Sequence, residues 1–357
     1  MNKVLVACAG SGKTTHIVDE AMKVNGNVLI TTFTDNNTDE ILNKFIKKYG
    51  YKPANITILP WFSFQLEHLI RPFQLSFIDV RIKDIIMQNG KNFNRYKSDQ
   101  KGYYLCGEAI YSDKIAFLAF KTLNTNELTY NRLKCIFDYI FIDEFQDFSG
   151  YDLEIVKHLA NKGMNIEIVC DPRQHTFSTH YSLKNHKYSS EPLKYIEENC
   201  LSFFKIDENT LNGSYRCPQN TIRYASEIFP NFPQSNSNKL YEDGDGIIFV
   251  KTSDVASFLS KTPSIIQLRD SKKTLVNPKY PVSTFGKSKG ITVENAIIYP
   301  TKPMLESIMK KDFSELKSKS DLYVALTRAK HKTAIIVPDK DYEKFNCIIS
   351  HIDSYLI

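Results

Sequence analysis

Three short stretches carry residues whose types and spacing suit phosphate chemistry. The first is Ala9-Gly10-Ser11-Gly12-Lys13-Thr14-Thr15, which follows the apolar run Val4–Cys8 and precedes a segment of helical period. A glycine-rich turn that opens a helix points successive backbone N–H groups at a phosphate chain, and the helix dipole adds to the attraction. Lys13 is placed to reach the β- and γ-phosphates, and the Thr14 hydroxyl to ligate Mg²⁺. Ala7 stands where the general pattern has its first glycine, so the loop is a variant. The second stretch, Asp143-Glu144-Phe145-Gln146-Asp147, follows the apolar run Ile140–Ile142. Acids at the C-terminal end of a buried strand sit on the crevice edge of an α/β sheet, where ligands bind. There Asp143 suits a Mg²⁺ ion held through water, and Glu144 suits a base that polarises an attacking water. The third, Asp171-Pro172-Arg173-Gln174, again ends a strand, and the neutral, bidentate Gln174 suits sensing a γ-phosphate or that water without adding charge. In the second half Arg216 and Arg328 supply cations of the kind that stabilise a transferring phosphoryl group. Taken singly, either arginine would pass for a surface ion-pair partner.

These residues need elements to position them. Short apolar runs alternate with helical segments, the signature of parallel α/β architecture. Strands are expected at Val4–Cys8, Val28–Thr32, Ile56–Leu59, Tyr139–Ile142 and Ile166–Cys170, then at Gly246–Val250, Ser264–Leu268, Val282–Phe285, Ala296–Tyr299 and Thr333–Val337. Two such series predict two α/β domains with a break near 200–212. Residues 71–135, with polar turns at Asn89-Gly90 and Ser98-Asp99, read as a largely helical insertion. Pro230–Gly246 reads as a surface loop.

The chain has 357 residues, 42% hydrophobic and 24% charged, which is a globular balance and enough for two domains. The net charge of +6 permits nucleic-acid contact without implying it. No apolar run approaches the roughly 20 residues of a membrane-spanning helix. The four apolar residues ahead of Cys8 fall short of the about 7 to 15 that a signal peptide needs. Seven scattered cysteines, never spaced as CxxC, argue against a disulfide framework or zinc ribbon and make a reducing cytoplasm the expected location.

Taken in order, these segments resemble the UvrD/Rep-type superfamily 1 DNA helicases along nearly the whole chain. Ala9–Thr15 is similar to the first helicase motif and Thr31–Asn36 to the segment that touches single-stranded DNA. Asp143–Asp147 is similar to the DExxQ-type Walker B, and Asp171–Gln174 to the GDPxQ segment with Cys170 in place of glycine. Ser214-Tyr215-Arg216 resembles the NYR motif, Thr284–Gly290 the TxHxxKG motif, and Tyr323–Lys330 the YVALTRAK motif. The resemblance implies two RecA-like domains, 1–205 and 206–357, with the insertion at 71–135 reduced and ATP bound in the cleft between the domains. It implies ATP and Mg²⁺ as cofactors, Lys13, Glu144, Gln174, Arg216 and Arg328 as the catalytic set, and Thr14 and Asp143 at the metal. Tyr215 would stack near the adenine, and Gly290 joins Ala9–Thr15 in the nucleotide site. Thr32 and Thr284 would meet DNA phosphates, with charge from Lys287 and Lys289. Phe33, Trp61, Phe62 and Phe177 are candidates for base stacking, although Trp61, Phe62 and Phe64 are equally good core residues.

The departures shape the expectation. Only Met1–Lys3 precede the first strand, without the family's adenine-reading glutamine segment, which relaxes the expected choice of nucleotide. Gly286 replaces the usual His and Thr292 the usual Glu, removing two expected DNA contacts. The stretch from Arg216 to Thr284 is too short for the family's large accessory insertion. The expected activity is an ATP-dependent, single-stranded-DNA-stimulated translocase or helicase of 3′-to-5′ polarity, acting on single strands or tailed duplexes, with RNA as a further possible substrate. A second reading is a nucleotide-gated DNA-binding switch that regulates a partner such as a nuclease. A third, a P-loop kinase of small molecules, leaves the arginines of the second half unexplained.

Overall fold

The computed structural model describes residues 2–88, 96–97, 99–240 and 242–356. The turn expected at Asn89-Gly90, and Ser98 of the next turn, lie outside the described residues. Contacts divide the chain into two compact units. One joins the residues up to Leu5 with Lys13–Asp207, and the other joins Val6–Gly12 with the residues from Glu208 onward.

The first unit contains β1 (Asn2–Val6), β2 (Val28–Thr32), β3 (Ile56–Pro60), β4 (Asp84–Ile86), β5 (Leu105–Cys106), β6 (Ala109–Tyr111), β7 (Tyr139–Ile142), β8 (Asn165–Cys170) and β9 (Phe204–Asp207). Its helices are α1 (Lys13–Lys23), α2 (Asp35–Tyr49), α3 (Trp61–Phe64), α4 (Ser112–Thr125), α5 (Glu127–Ile136), α6 (Tyr151–Asn161) and α7 (Pro192–Asn199). Six strands form one sheet in the order β3-β2-β7-β8-β1-β9, with β2–β3, β2–β7, β7–β8 and β1–β9 paired in parallel. All five residues of β2 are buried, as a strand flanked on both sides and covered on both faces requires. Each such apolar side chain contributes about 1.5–3 kcal/mol on burial. Parallel pairing puts the C-terminal ends of β2, β7 and β8 on one edge, so the residues after Thr32, Ile142 and Cys170 emerge together. α2 shows how local chemistry sets the lengths. The Thr34 side chain caps its start by accepting from Asn37 N–H, and Gly50 ends it in the left-handed region at φ 82°.

The strands expected from the sequence all form, two with the expected ends and the others with ends shifted by one or two residues, and β9 joins them at the sheet edge beside β1. The segment 71–135 holds α4 and α5 but also a small sheet of order β4-β6-β5. Strands of two or three residues are too short to show alternation, so periodicity could not reveal them.

The second unit contains β10 (Gly213–Ser214), β11 (Asn236–Ser237), β12 (Gly246–Lys251), β13 (Ile265–Arg269), β14 (Val282–Thr284), β15 (Asn295–Tyr299) and β16 (Lys332–Val337). Its helices are α8 (Gln219–Glu227), α9 (Val255–Lys261), α10 (Lys302–Lys310), α11 (Lys319–Leu326) and α12 (Tyr342–Asp353). The main sheet runs β12-β16-β15-β13-β14, parallel throughout. Its larger core cluster gathers Ile222, Leu268, Ile298, Tyr323, Ile335 and Phe345. The expected surface loop Pro230–Gly246 is more structured than its composition suggests: β11 pairs with β10, and Ser235 and Asp245 are buried. Among the described residues no helix is long and apolar enough to cross a membrane.

Candidate nucleotide and nucleic-acid sites

The loop Ala7–Gly12 follows β1 and leads into α1. Gly10 and Gly12 take φ of 74° and 83°, a region that costs a side-chain-bearing residue roughly 1–2 kcal/mol. Ala7 is not among the residues with positive φ, so alanine in place of the usual glycine carries no such cost. Lys13, Thr14 and Thr15 open α1, and the first turn of this helix carries no acidic residue to neutralise its free N–H groups. The buried Ser11 hydroxyl has no hydrogen-bond partner among the described residues. A loop with two left-handed glycines, an unneutralised helix start and an orphaned hydroxyl fits a phosphate group.

Asp143, the first residue after β7, is only 2% exposed, and its N–H donates to Thr31 O at 2.9 Å. Burial, with the neighbouring Glu144 charge adding, pushes its carboxyl up to about 7, and Lys13 opposes the shift. A cation beside this carboxyl would favour its ionised form, so the buried Asp143 fits a bound Mg²⁺. Glu144 is itself in the left-handed region at φ 57°, a conformation kept only where the surroundings enforce it. Its N–H donates to Asp143 Oδ1 at 2.9 Å, and its carboxylate accepts from the Gln146 amide. Gln146 then links the two acidic loops, because its Oε1 accepts from Asp171 N–H at 3.1 Å. Asp171 in turn accepts from Arg173 Nε at 2.9 Å and from Gln174 Nε2 at 2.7 Å. Gln174 is therefore buried and anchored within the same network as Glu144.

In the second unit Arg216 and Arg328 converge on Thr327. Arg216 donates to the Thr327 carbonyl at 3.2 Å, and Arg328 to the Thr327 hydroxyl at 3.1 Å and the Val324 carbonyl at 2.9 Å. Arg328 is only 1% exposed. Val6–Gly12 packs within this unit. Ala9 N–H donates to the Tyr323 hydroxyl at 3.1 Å, and Tyr215 N–H to the Gly10 carbonyl at 2.9 Å. A Cβ at Gly10 would lie 2.6 Å from Arg216 Cβ. The Tyr215 ring is 68% exposed and open to a flat ligand. Gly290 has φ 85° with nothing within 4 Å of a Cβ placed there. Thr284 is half-buried at the end of β14, Lys287 is exposed and Lys289 half-buried. One His–carboxylate cluster with metal-ligand spacing occurs among the described residues, Glu242, Asp245 and His331. Lys239 already places its ammonium on Asp245, so this cluster is an ion-pair network.

Three of the four aromatic candidates meet in the first unit. Phe33 lies 6.0 Å from Phe62 and 5.5 Å from Phe177, centroid to centroid, and Phe177 is 40% exposed.

The family model for the viral superfamily 1 RNA helicase core domain matches residues 111–337, more than half of the chain. The chain belongs to this family. A protein named "Probable DNA helicase II homolog" in Mycoplasma genitalium is 23% identical over 288 residues, covering 63% of this chain and 40% of that protein. The arterivirus nonstructural protein 10 helicase is 14% identical with a TM-score of 0.48, covering 96% of this chain and 61% of its own. The complex of an arterivirus nonstructural protein 10 helicase with DNA gives 13% and 0.47, covering 96% and 63%. The chain thus spans about two fifths of the curated relative and about three fifths of these structures.

Two of the expected nucleic-acid contacts in this helicase core need correction. Trp61 is entirely buried, packed on Phe64 and Phe148 at 5.2 and 4.5 Å, with Nε1 donating to Asp152 Oδ1 at 2.7 Å. It has no free face for a base and is a core residue. Thr32 is also fully buried, with its hydroxyl accepting from Asn37 Nδ2 at 3.2 Å, so it presents no surface to a strand phosphate. Sequence reasoning missed Asp152, Tyr323 and Thr327 as organisers. Thr327 and Tyr323 lie inside the YVALTRAK match, which is the sequence signal that points to them. Asp152, near the start of α6, reads as an ordinary helix-start acid, and its partners Trp61 and Gln65 are 91 and 87 positions away.

Proposed function

We propose that the chain is the motor core of a UvrD/Rep-type superfamily 1 helicase, hydrolysing ATP and moving 3′ to 5′ along a single strand. The observation that carries this reading is the left-handed glycine loop leading into α1, with the buried Asp143 and the strained Glu144 in the unit that holds α1. Lys13 binds the terminal phosphates. Thr14 and Asp143 hold Mg²⁺, which when bound neutralises charge on the phosphate oxygens. Glu144, steadied by Gln146, orients and deprotonates the attacking water, and Gln174 responds through the Asp171–Gln146 link to the state of that water. Arg216 and Arg328, paired around Thr327, stabilise the transferring phosphoryl group, and the exposed Tyr215 ring stacks on the base. Phe33, Phe62 and Phe177 hold unpaired bases without reading sequence, while Thr284, Lys287 and Lys289 meet the backbone. The resemblance of the motifs supports the polarity and the choice of ATP; the match to a family of viral RNA helicases keeps RNA among the strands to be tried.

The test is steady-state ATP turnover alone and with single-stranded DNA, duplex DNA and RNA, alongside strand displacement on tailed duplexes of both polarities. Stimulation by single strands with displacement from a 3′ tail supports the motor. One slow turnover per bound strand without displacement would instead favour a nucleotide-gated switch that regulates a partner.

A further inference from the structure

The nucleic-acid platform of the proposed motor depends on where its rings stand, and one buried carboxylate ties down the segments that carry two of them. Asp152 is fully buried at the start of α6. Its Oδ1 accepts from Trp61 Nε1 and Gln65 Nε2, each at 2.7 Å. Its Oδ2 accepts from the Thr179 hydroxyl at 2.6 Å and lies 3.4 Å from His180 Nδ1. Trp61 immediately precedes Phe62, and Thr179 follows Phe177 by two residues. A third clamp completes the frame: Thr179 N–H donates to the Asp147 carbonyl at 2.7 Å, and the Ser149 hydroxyl to the His180 carbonyl at 2.8 Å.

We propose that Asp152 is a positioning residue for single-strand binding, holding the Phe62 and Phe177 segments in register so that their rings, with Phe33 between them, form a platform for unpaired bases before any strand arrives. The physical argument is that of preorganisation. Two rings on separate segments bind stacked bases well only if their spacing is set beforehand, and otherwise each binding event must also bring the segments into register. A buried carboxylate that accepts from donors on both segments sets that spacing, because leaving any of those donors unmatched in the interior is costly. The proposal rests on reading the three phenylalanines as the base-binding surface.

The experiment measures the affinity for a fluorescein-labelled oligothymidylate by anisotropy, the ATP turnover without nucleic acid, and the melting temperature. The variants are Asp152→Asn, Thr179→Val, Thr179→Ser and Phe62→Ala. The expected result is about tenfold weaker binding for Asp152→Asn and Thr179→Val, from misalignment of one stacking ring. Nucleic-acid-free turnover should stay within twofold, and Thr179→Ser, which keeps the hydroxyl, should restore the affinity. Should Asp152→Asn fail to fold, the near-isosteric Thr179→Val decides. Unchanged binding in Thr179→Val at temperatures well below melting, while Phe62→Ala weakens it, would overturn the role of Asp152 and leave the motor reading standing. Unchanged binding in Phe62→Ala would overturn the platform and the proposal with it. Absence of turnover in the unsubstituted chain would count against the motor reading alone.

Discussion

Tyr323→Phe removes one oxygen atom and tests how firmly the glycine loop ahead of Lys13 is held. Ala9 and Tyr323 are both fully buried, and the Ala9 N–H donates to the Tyr323 hydroxyl at 3.1 Å. The phenyl ring keeps its place, since its edge-to-face contact with Phe229 at 5.9 Å needs no hydroxyl. What is lost is the acceptor for a buried backbone donor, at a cost of about 1–3 kcal/mol. In a unit of this size that corresponds to about 2–4 °C of melting temperature for each kcal/mol. The loop loosened by the change leads directly into Lys13, so the Michaelis constant for ATP should rise about three- to tenfold. Urea denaturation followed by circular dichroism, together with steady-state kinetics, measures both effects. A loss below about 0.5 kcal/mol with unchanged kinetics would show that the hydroxyl does not hold the loop.

The remaining predictions concern single groups. Gly10→Ala forces a side chain into the left-handed region, at about 1–2 kcal/mol, and its Cβ would stand 2.6 Å from Arg216 Cβ and 2.7 Å from Ser214 Oγ. It should lower stability by about 2 kcal/mol or more and weaken nucleotide binding at least tenfold by calorimetry. Glu144→Gln should abolish turnover while fluorescent-nucleotide affinity stays within about threefold, since the amide keeps the shape but cannot take the proton of water. Asp152 has a lowered pKa: burial raises it, and the His180 charge with the His180, Thr179 and Trp61 hydrogen bonds overcomes that. Its ionised form therefore stabilises the fold above the ordinary value of 3.8, and this contribution fades as pH falls through the lower native value. The stability difference between the unsubstituted chain and Asp152→Asn, measured in urea at pH 6, 4 and 3, should shrink as pH falls; a constant difference would assign it to packing.

Much of this architecture could be read before any coordinates. Ten strands stood out because parallel strands covered on both faces carry continuous apolar runs, as Val28–Ile30 in β2 and Ala334–Val337 in β16 do. The left-handed glycine loop that opens α1 was legible because glycine, lysine and threonine at fixed spacing after a strand leave few other conformations. β9 was not, since Lys205 and Asp207 interrupt it with charge. Trp61 was ambiguous for a physical reason: an aromatic beside a binding loop has the same composition whether it faces a base or the core, and only its bond to Asp152 separates the two. The meeting of Arg216 and Arg328 at Thr327 depends on positions more than a hundred residues apart, which no local pattern encodes.

The most direct measurement of the central claim is ATP turnover in the presence and absence of an oligothymidylate, for the unsubstituted chain and for Lys13→Ala. The account predicts turnover that rises at least tenfold on adding the strand and falls to background in Lys13→Ala. Turnover of the unsubstituted chain that is absent, or that survives intact in Lys13→Ala, would contradict it.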